Sequence, residues 1–134
     1  MSQANVEIVR QVIDAYNAGD LDLMLSFHAS NMEAVPDSSV FPEATPRHGR
    51  EEYRAFLDEI STAWIKPNYG VSELFMVDDG RVVHRGDWGG EGVSSGIELA
   101  STLTAIYAIS EGKISSVVFF FDHQKALEAV GLEG

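Results

Sequence analysis

The chain has no cysteine among its 134 residues, so it can form neither a disulfide bond nor a thiolate metal site. Basic residues are scarce as well, since nine Lys and Arg stand against 21 Asp and Glu and give a formal net charge of −12. A nucleic-acid partner is not expected, because binding to phosphate groups requires a basic surface. The longest unbroken apolar runs, residues 105–109 and 117–121, are too short to cross a membrane.

What remains is the composition of one globular domain. Hydrophobic residues make up 45% of the chain and charged residues 22%, which is enough apolar material to bury a core. Two domains would each be too small for a core of their own. The N-terminal residues lack the basic and apolar regions of a signal peptide. We therefore expect one domain over residues 1–134, located in the cytoplasm, with no membrane and no nucleic acid as partner.

Helical periodicity dominates the first half of the sequence. Apolar residues recur every three or four positions up to Gly19, again in a shorter helix capped by Asp20, and most clearly over residues 53–64. Pro67 prevents much extension of this third helix. Residues 30–48 hold three of the four prolines and predict a long loop, with a possible short strand at residues 32–35.

Strand signals fill the second half. Asp78-Asp79-Gly80 predicts one tight hairpin turn, and Ser110-Glu111-Gly112-Lys113 predicts a second. Asp122 is then expected to cap a closing helix that ends at Gly131. Helices followed by antiparallel strands indicate an α+β fold, in which helices stack on one face of a sheet. The predicted strands cover residues 71–77, 81–88, 97–109 and 114–121.

Two of the predicted strands are apolar on both faces. Residues 117–121 contain no polar side chain, and residues 103–109 contain only Thr104 as a clearly polar one. A sheet with one solvated face should instead alternate apolar and polar residues. Because helices cover one face only, a second copy of the chain is expected to cover the other. The prediction is a homodimer joined through the outer sheet face.

Four short motifs follow one another along the chain at the boundaries between predicted elements. They are Tyr16-Asn17-Ala18-Gly19-Asp20-Leu21-Asp22 between two helices, His48-Gly49-Arg50 before the third, Gly112-Lys113-Ile114 before the last strand, and Phe121-Asp122 before the final helix. In this order they resemble nuclear transport factor 2-like proteins, most closely the SnoaL-like branch. The resemblance implies a cone-shaped α+β barrel of the cystatin-like type, in which a curved antiparallel sheet wraps around the N-terminal helices. It also implies a cavity at the wide end. Ketosteroid isomerase, limonene epoxide hydrolase and polyketide cyclases share the fold, which therefore does not define the reaction.

Arg85 and Asp87 lie two positions apart on a predicted strand, so their side chains share one side. Their spacing is similar to the Arg-x-Asp pair with which limonene epoxide hydrolase activates water. Beside Arg85 an ionised Asp87 could orient a water or accept a proton. The second aspartate of that hydrolase would fall near Phe119, which cannot transfer a proton, so only half of the hydrolase site is present. The alternative is an ordinary charge pair on a half-exposed strand.

Asp37 occupies roughly the position of the proton-shuttling aspartate of ketosteroid isomerase. A loop carboxylate at the rim of a cavity could act as a base if apolar neighbours raised its pKa. The oxyanion groups of the isomerase would fall near Val12 and Ala105, which cannot donate hydrogen bonds, so steroid isomerisation is not expected. A turn residue is the alternative interpretation of Asp37.

Other patterns point less strongly to chemistry. Glu91 stands where SnoaL-like cyclases often carry a histidine, either as an acid or base or as a solvated loop residue. The G-x-S-x-G string at residues 92–96 precedes a strand instead of a helix, which argues against a nucleophile elbow. The four histidines show no close metal-ligand spacing, so neither a metal nor another cofactor is expected. Arg47, Arg50 and Arg54 gather near the start of the third helix, where they either favour an anionic ligand or neutralise nearby glutamates.

Aromatic side chains could line the implied cavity. Alternation places three residues of the last strand on one side, and the resemblance implies that this side faces the cavity. Such walls would suit a flat, mostly apolar small molecule, whereas plain core packing is the alternative. The predicted lining residues are Tyr16, Phe56, Trp64, Tyr107, Val117, Phe119 and Phe121.

Two functions are therefore open at this point. The first is a cofactor-independent isomerase, cyclase or hydrolase that acts on a small hydrophobic molecule. Its predicted catalytic residues are Asp87 and Arg85, which are expected to lie together inside the implied cavity, with Asp37 as a further candidate. The second is a non-catalytic homodimer of the same fold that binds a small ligand or has a structural role.

Overall fold

One curved sheet of seven strands organises the chain, with helices packed against it. The computed structural model describes residues 2–37, 45–77, 80–92 and 98–131. The predicted α+β class is confirmed. Within the described residues the elements run in the order α1 (Ser2–Asn17), α2 (Leu21–Ser26), β1 (His28–Val35), β2 (Arg47–His48), α3 (Gly49–Ala63), β3 (Trp64–Tyr69), β4 (Glu73–Met76), β5 (Val82–Gly92), β6 (Glu98–Ser110), β7 (Lys113–Phe120) and α4 (His123–Ala129).

The helix boundaries follow from local capping. Gly19 has a φ of 78°, a left-handed conformation that glycine adopts without strain, and it separates α1 from α2. The Asp20 carboxylate accepts a hydrogen bond from the Leu23 amide at 3.0 Å and starts α2. Asp122 caps α4 in the same way by accepting from the Gln124 amide at 3.0 Å. These boundaries confirm the predicted helices at both ends of the chain.

The sheet joins strands from both ends of the chain. Its order is β2-β1-β7-β6-β5-β3, and β4 also pairs with β5. The predicted hairpins β4–β5 and β6–β7 are confirmed. The second turns through Glu111 and Gly112, whose φ angles of 52° and 78° match the twist of the strands. The expectation of a purely antiparallel sheet is wrong at one place, because β1 runs parallel to β7.

Two strands differ from the prediction. β1 already begins at His28, before the loop predicted for residues 30–48, in which only a short strand at residues 32–35 was expected. β3 contains Pro67, which was expected only to stop the third helix. β3 lies at the end of the strand order, and an edge strand tolerates proline because one of its sides carries no ladder hydrogen bonds.

The two faces of the sheet carry separate apolar clusters. The inner face packs against α1, α2 and α3 and forms the main core. On the outer face Ala126 of α4 joins a smaller cluster with Val77, Val83 and Ile106. The expectation that helices cover only one face is therefore wrong, since α4 supplies part of the cover assigned to a second copy. The homodimer itself stays a prediction.

None of the helices in the described part of the chain combines the length and apolar character needed to cross a membrane. The longest of them, α1, has 16 residues. The cytoplasmic location stays a prediction.

Candidate ligand site on the inner sheet face

The last two strands place their aromatic residues as the alternation predicts. The register pairs Val117 with Tyr107 and Phe119 with Ala105 across β7 and β6. Val117 and Tyr107 are buried in the main core, and Phe119 and Phe121 pack against it while remaining half-buried. These side chains therefore project to the inner face.

Helices α1 and α3 contribute further aromatic residues to the same face. Tyr16 and Phe56 are half-buried and pack against the main core, and their role as lining residues stays a prediction. Tyr53, one turn before Phe56 on α3, is buried beside it with 2% of its surface exposed. Tyr53 was not singled out by the sequence, although its three-residue spacing from Phe56 placed both on one helix stripe. The side chain of Trp64 lies outside the described part of the molecule.

Tyr16, Tyr53 and Tyr107 form a cluster on the inner face, named here the tyrosine trio. Burial, and then the nearby hydroxyls of Tyr107 and Tyr16, raise the pKa of Tyr53 well above its usual value. Burial and the neighbouring Tyr16 also raise the pKa of Tyr107. Burial raises the pKa of Tyr16 in spite of its side-chain hydrogen bond. All three phenols are therefore protonated at neutral pH and can act as hydrogen-bond donors.

The protons of the trio have no acceptor among the described residues. The Tyr16 hydroxyl accepts a hydrogen bond from Trp88 Nε1 at 2.9 Å, which leaves its own proton free to donate. Tyr53 and Tyr107 make no side-chain hydrogen bond within the described ranges. The trio can therefore donate hydrogen bonds to an oxygen atom of a bound molecule.

The fourth tyrosine, Tyr69, plays a different part. Its hydroxyl donates to the Leu103 carbonyl at 2.7 Å, and its ring stacks on His84 with 3.8 Å between the ring centres. The proton of Tyr69 is therefore used within the protein. Its burial and the nearby Tyr107 and Tyr53 raise its pKa as well.

Two buried histidines each keep one ring nitrogen without a partner among the described residues. His28 Nδ1 lies 3.0 Å from the Met24 carbonyl, and His84 Nε2 lies 2.7 Å from the Gly70 carbonyl. Because a carbonyl only accepts, these nitrogens carry the proton, and His28 Nε2 and His84 Nδ1 remain as enclosed acceptors. Burial lowers the pKa of each histidine to about 4, so both are neutral at pH 7.

Arg85 and Asp87 share one side of β5, as predicted, but this is the outer side of the sheet. Arg85 Nη1 donates to Glu73 Oε1 at 2.8 Å. Asp87 is exposed and accepts a hydrogen bond from Thr102 Oγ1 at 3.2 Å. The expectation that the two residues lie together in an enclosed cavity is therefore wrong. Their catalytic role stays a prediction without the enclosed site that it requires.

The glycine between these two residues is explained by packing. Gly86 faces the inner side, where the Gly70 carbonyl oxygen would lie 1.9 Å from a Cβ atom at position 86. Only a residue without a side chain leaves room for this backbone. The residue between Arg85 and Asp87 is therefore a glycine for a structural reason.

Asp37 lies just beyond the end of β1. Its Oδ2 accepts a hydrogen bond from the Phe121 amide at 2.8 Å. The carboxylate therefore sits beside one of the half-buried aromatic residues of the inner face. Its role as a base stays a prediction.

The remaining sequence candidates are placed as follows. The side chain of Glu91 and residues 93–96 lie outside the described part of the chain. Arg54 forms an ion pair with Asp22. Arg50 is exposed and lines a groove of about 320 Å³ at the start of α3. The described residues contain no group of three histidine or carboxylate side chains that could hold a metal ion.

The sequence and the fold were compared with protein-family models, curated proteins and solved structures. A family model for the SnoaL-like domain matches residues 9–117. No curated protein matches the sequence. Among solved structures, a provisionally assigned polyketide cyclase from Xanthomonas campestris has a TM-score of 0.80 at 20% identity, covering 96% of this chain and 98% of its own.

Two further structures agree with this placement. An NTF2-like protein of unknown function from Burkholderia pseudomallei has a TM-score of 0.78 at 18% identity, covering 96% of this chain and 98% of its own. A provisionally assigned SnoaL-like polyketide cyclase from Jannaschia has a TM-score of 0.77 at 16% identity, covering 98% of this chain and 94% of its own. At these identities the likeness shows the fold, and the resemblance stated from the sequence motifs is confirmed.

Proposed function

The chain belongs to the SnoaL-like domain family, and from this premise we propose that its inner sheet face binds a small, mostly apolar molecule. The ligand carries a carbonyl or similar oxygen that accepts hydrogen bonds from the tyrosine trio. The observation that supports this best is the trio itself, with three protonated phenols that have no acceptor among the described residues.

Apolar contact supplies the affinity of such a site. Phe56, Phe119 and Phe121 are half-buried and pack against the same core cluster as the trio, so they add aromatic surface to the inner face. Each square ångström of apolar surface removed from water contributes roughly 25 cal/mol. A flat ring system would therefore bind through these walls, in keeping with the shape expected from the sequence.

The hydroxyls supply the selectivity. Each hydrogen bond that a ligand oxygen accepts from Tyr53 or Tyr107 contributes roughly 0.5 to 1.5 kcal/mol, which favours a ligand that carries a carbonyl group. A hydrocarbon of the same shape leaves the donors unsatisfied and is rejected. Two of the similar structures carry the name polyketide cyclase, and a polyketide carries ketone groups of the kind that the trio would bind.

Binding is tested with aromatic ketones of one to three rings, measured by isothermal titration calorimetry on the full chain. The reference pair is 2-acetylnaphthalene and 2-ethylnaphthalene, which differ in the carbonyl oxygen. We expect the ketone to bind about 10-fold more tightly, and Tyr107→Phe to reduce this difference. Thr102→Val on the outer face is the control and should leave both affinities unchanged. Absence of binding by every ketone at millimolar concentration would overturn the proposal.

Proton transfer is a second candidate function, favoured by the contact of Asp37 with Phe121. A ketone oxygen held by the trio would make its α-protons more acidic, and the Asp37 carboxylate could remove one of them. The test is deuterium exchange at the α-carbon of 2-acetylnaphthalene in D₂O, followed by NMR. Asp37→Asn keeps an oxygen for the Phe121 amide and should abolish exchange while binding remains. Exchange no faster than in buffer would leave binding as the function.

A further inference from the structure

We propose that Arg47 is an anion anchor for this ligand site, and that the preferred ligand carries a carboxylate in addition to its carbonyl. This inference rests on the proposed function and specifies its ligand class. It depends on where Arg47 stands in the sheet, on the contacts of its guanidinium, and on how it differs from neighbouring arginines.

Arg47 stands at the end of a row of side chains that crosses the inner face. The register pairs Arg47 with Ala34, Ala34 with Val117, and Val117 with Tyr107. Residues paired across neighbouring strands share a face, so Arg47 lies on the side of the trio. Three strand spacings of about 4.8 Å separate the backbones of Arg47 and Tyr107, roughly 14 Å in all.

Among the described residues, the guanidinium of Arg47 has only weak partners. It lies 5.1 Å above the ring of Phe56, an aromatic residue of the inner face. Its Nη2 is 3.7 Å from Glu59 Oε2, beyond hydrogen-bond distance, and 67% of the Glu59 side chain is exposed. Exposed ion pairs of this kind contribute little free energy.

The Nε atom of Arg47 is a second reason to expect a bound anion beside this side chain. It is enclosed by protein and has no hydrogen-bond partner among the described residues. A planar guanidinium matches the two oxygens of a carboxylate, which would accept hydrogen bonds from Nε and from an Nη atom together. A carboxylate on the ligand would therefore complete the contacts that the protein leaves open.

Arg47, Arg50 and Arg54, the three arginines near the start of α3, differ in their contacts. Arg54 is paired with Asp22, and Arg50 is exposed in the groove. Arg47 has a side chain only 24% exposed and contacts an inner-face ring. In a chain of net charge −12, a partly buried cation at the edge of the site is the feature that would attract an anionic ligand.

The experiment compares 6-acetyl-2-naphthoic acid with its methyl ester by calorimetry on the full chain. We expect the acid to bind more tightly than the ester, and Arg47→Gln to weaken acid binding about 10- to 100-fold. Ester affinity should change less than about threefold, because the ester offers no charge. Arg54→Gln is the matched control, since it removes the same charge near the same helix and should leave the acid affinity within about threefold.

The outcomes separate this inference from the proposed function. If neither the acid nor the ester binds, the proposed function fails. If both bind equally and Arg47→Gln changes neither, the anion anchor is overturned and the proposed function stands. Equal losses of acid affinity in Arg47→Gln and Arg54→Gln would assign the effect to net charge and also overturn it. Should Arg47→Gln not fold, Arg47→Lys replaces it, with a partial loss of acid affinity expected and an unchanged affinity contradicting the paired hydrogen bonds.

Discussion

The two faces of the sheet treat their polar side chains differently. On the outer face Glu73 lies 2.8 Å from Arg85 and 3.8 Å from His123, and His123 also contacts Thr104 at 3.0 Å. These charged and polar side chains of the outer face are thus paired with one another. Arg85 Nε is an exception, because it is enclosed without a partner among the described residues.

Apart from Arg47 and Asp37 at its edge, the polar groups described above on the inner face are neutral phenols and imidazoles. The trio keeps free donors, and His28 and His84 keep enclosed acceptors without partners in the described ranges. Buried polar groups without partners cost free energy, so they suggest a site that another molecule completes. The comparison teaches that the charged pair that looked catalytic belongs to the solvent side, while the candidate binding groups of the inner face are neutral phenols with a partly buried cation, Arg47, at their edge.

The largest effect is expected from Gly86→Ala, which breaks the packing of the inner side. The added Cβ would lie 1.9 Å from the Gly70 oxygen and 2.5 Å from the Gly70 carbonyl carbon, both of them backbone atoms. We expect a loss of at least about 3 kcal/mol in unfolding free energy, measured by urea titration.

Gly70→Ala is the matched control for this change. A Cβ at position 70 would lie 3.7 Å from the nearest atom, the Asp87 carbonyl oxygen, which is an ordinary contact. Its cost should stay below about 1 kcal/mol. A similar stability for both variants would contradict the close approach of the two strands.

Acidic pH should lower the unfolding free energy, because the two buried histidines of the inner face resist protonation in the folded chain. Burial lowers the pKa of His28 and His84 from 6.5 to about 4, so the unfolded chain takes up protons more readily than the folded one. Their contribution is therefore fully present above pH 6.5 and is lost as the pH falls through about 4, by up to roughly 3 kcal/mol for each.

The measurement is the unfolding free energy between pH 7 and pH 4. Replacement of either histidine, as in His28→Gln or His84→Gln, should flatten its dependence on pH. A slope that is the same in both variants as in the unsubstituted chain would show that the buried histidines do not titrate as described.

The sequence predicted elements better than it predicted their partners. Glycines and aspartates at turns and caps act locally, which is why the helix ends at Gly19 and Asp20 and both hairpins were found. The parallel pairing of β1 with β7 joins residues about 85 positions apart, such as Ala34 and Val117, and no local pattern encodes it. The strand that contains Pro67 was missed for a related reason, since proline is tolerated there only because β3 is an edge strand.

The candidate site shows the same limit. A period of two residues places Arg85 and Asp87 on one side of a strand, but the side itself depends on where the helices pack. The inner placement of Val117, Phe119 and Phe121 was predicted because the fold resemblance supplied that missing information. Arg47 could be grouped with other arginines by sequence but not distinguished from them, because its contacts with Phe56 and Glu59 cross between elements.

A pair of tyrosine variants should separate structural from ligand-binding hydroxyls. Tyr69→Phe leaves the buried Leu103 carbonyl without this donor and is expected to cost about 1 to 2 kcal/mol. Tyr107→Phe removes a hydroxyl that has no hydrogen bond within the described residues, so its cost should stay below about 0.5 kcal/mol. Urea titration of both variants measures the difference. Equal costs would indicate that Tyr107 has a structural partner of its own.

The smallest effect is expected on the outer face, from Asp87→Asn. Asp87 is exposed, and its one side-chain hydrogen bond within the described residues is with Thr102 at 3.2 Å, so its charge should contribute less than about 0.5 kcal/mol to stability. Arg85→Gln should cost little more, because both members of its ion pair with Glu73 are more than one third exposed. Ketone binding should be unchanged in either variant, since neither side chain reaches the inner face. A loss of binding in Asp87→Asn with full stability would return Asp87 to the site and remove the distinction between the two faces on which the proposed function depends.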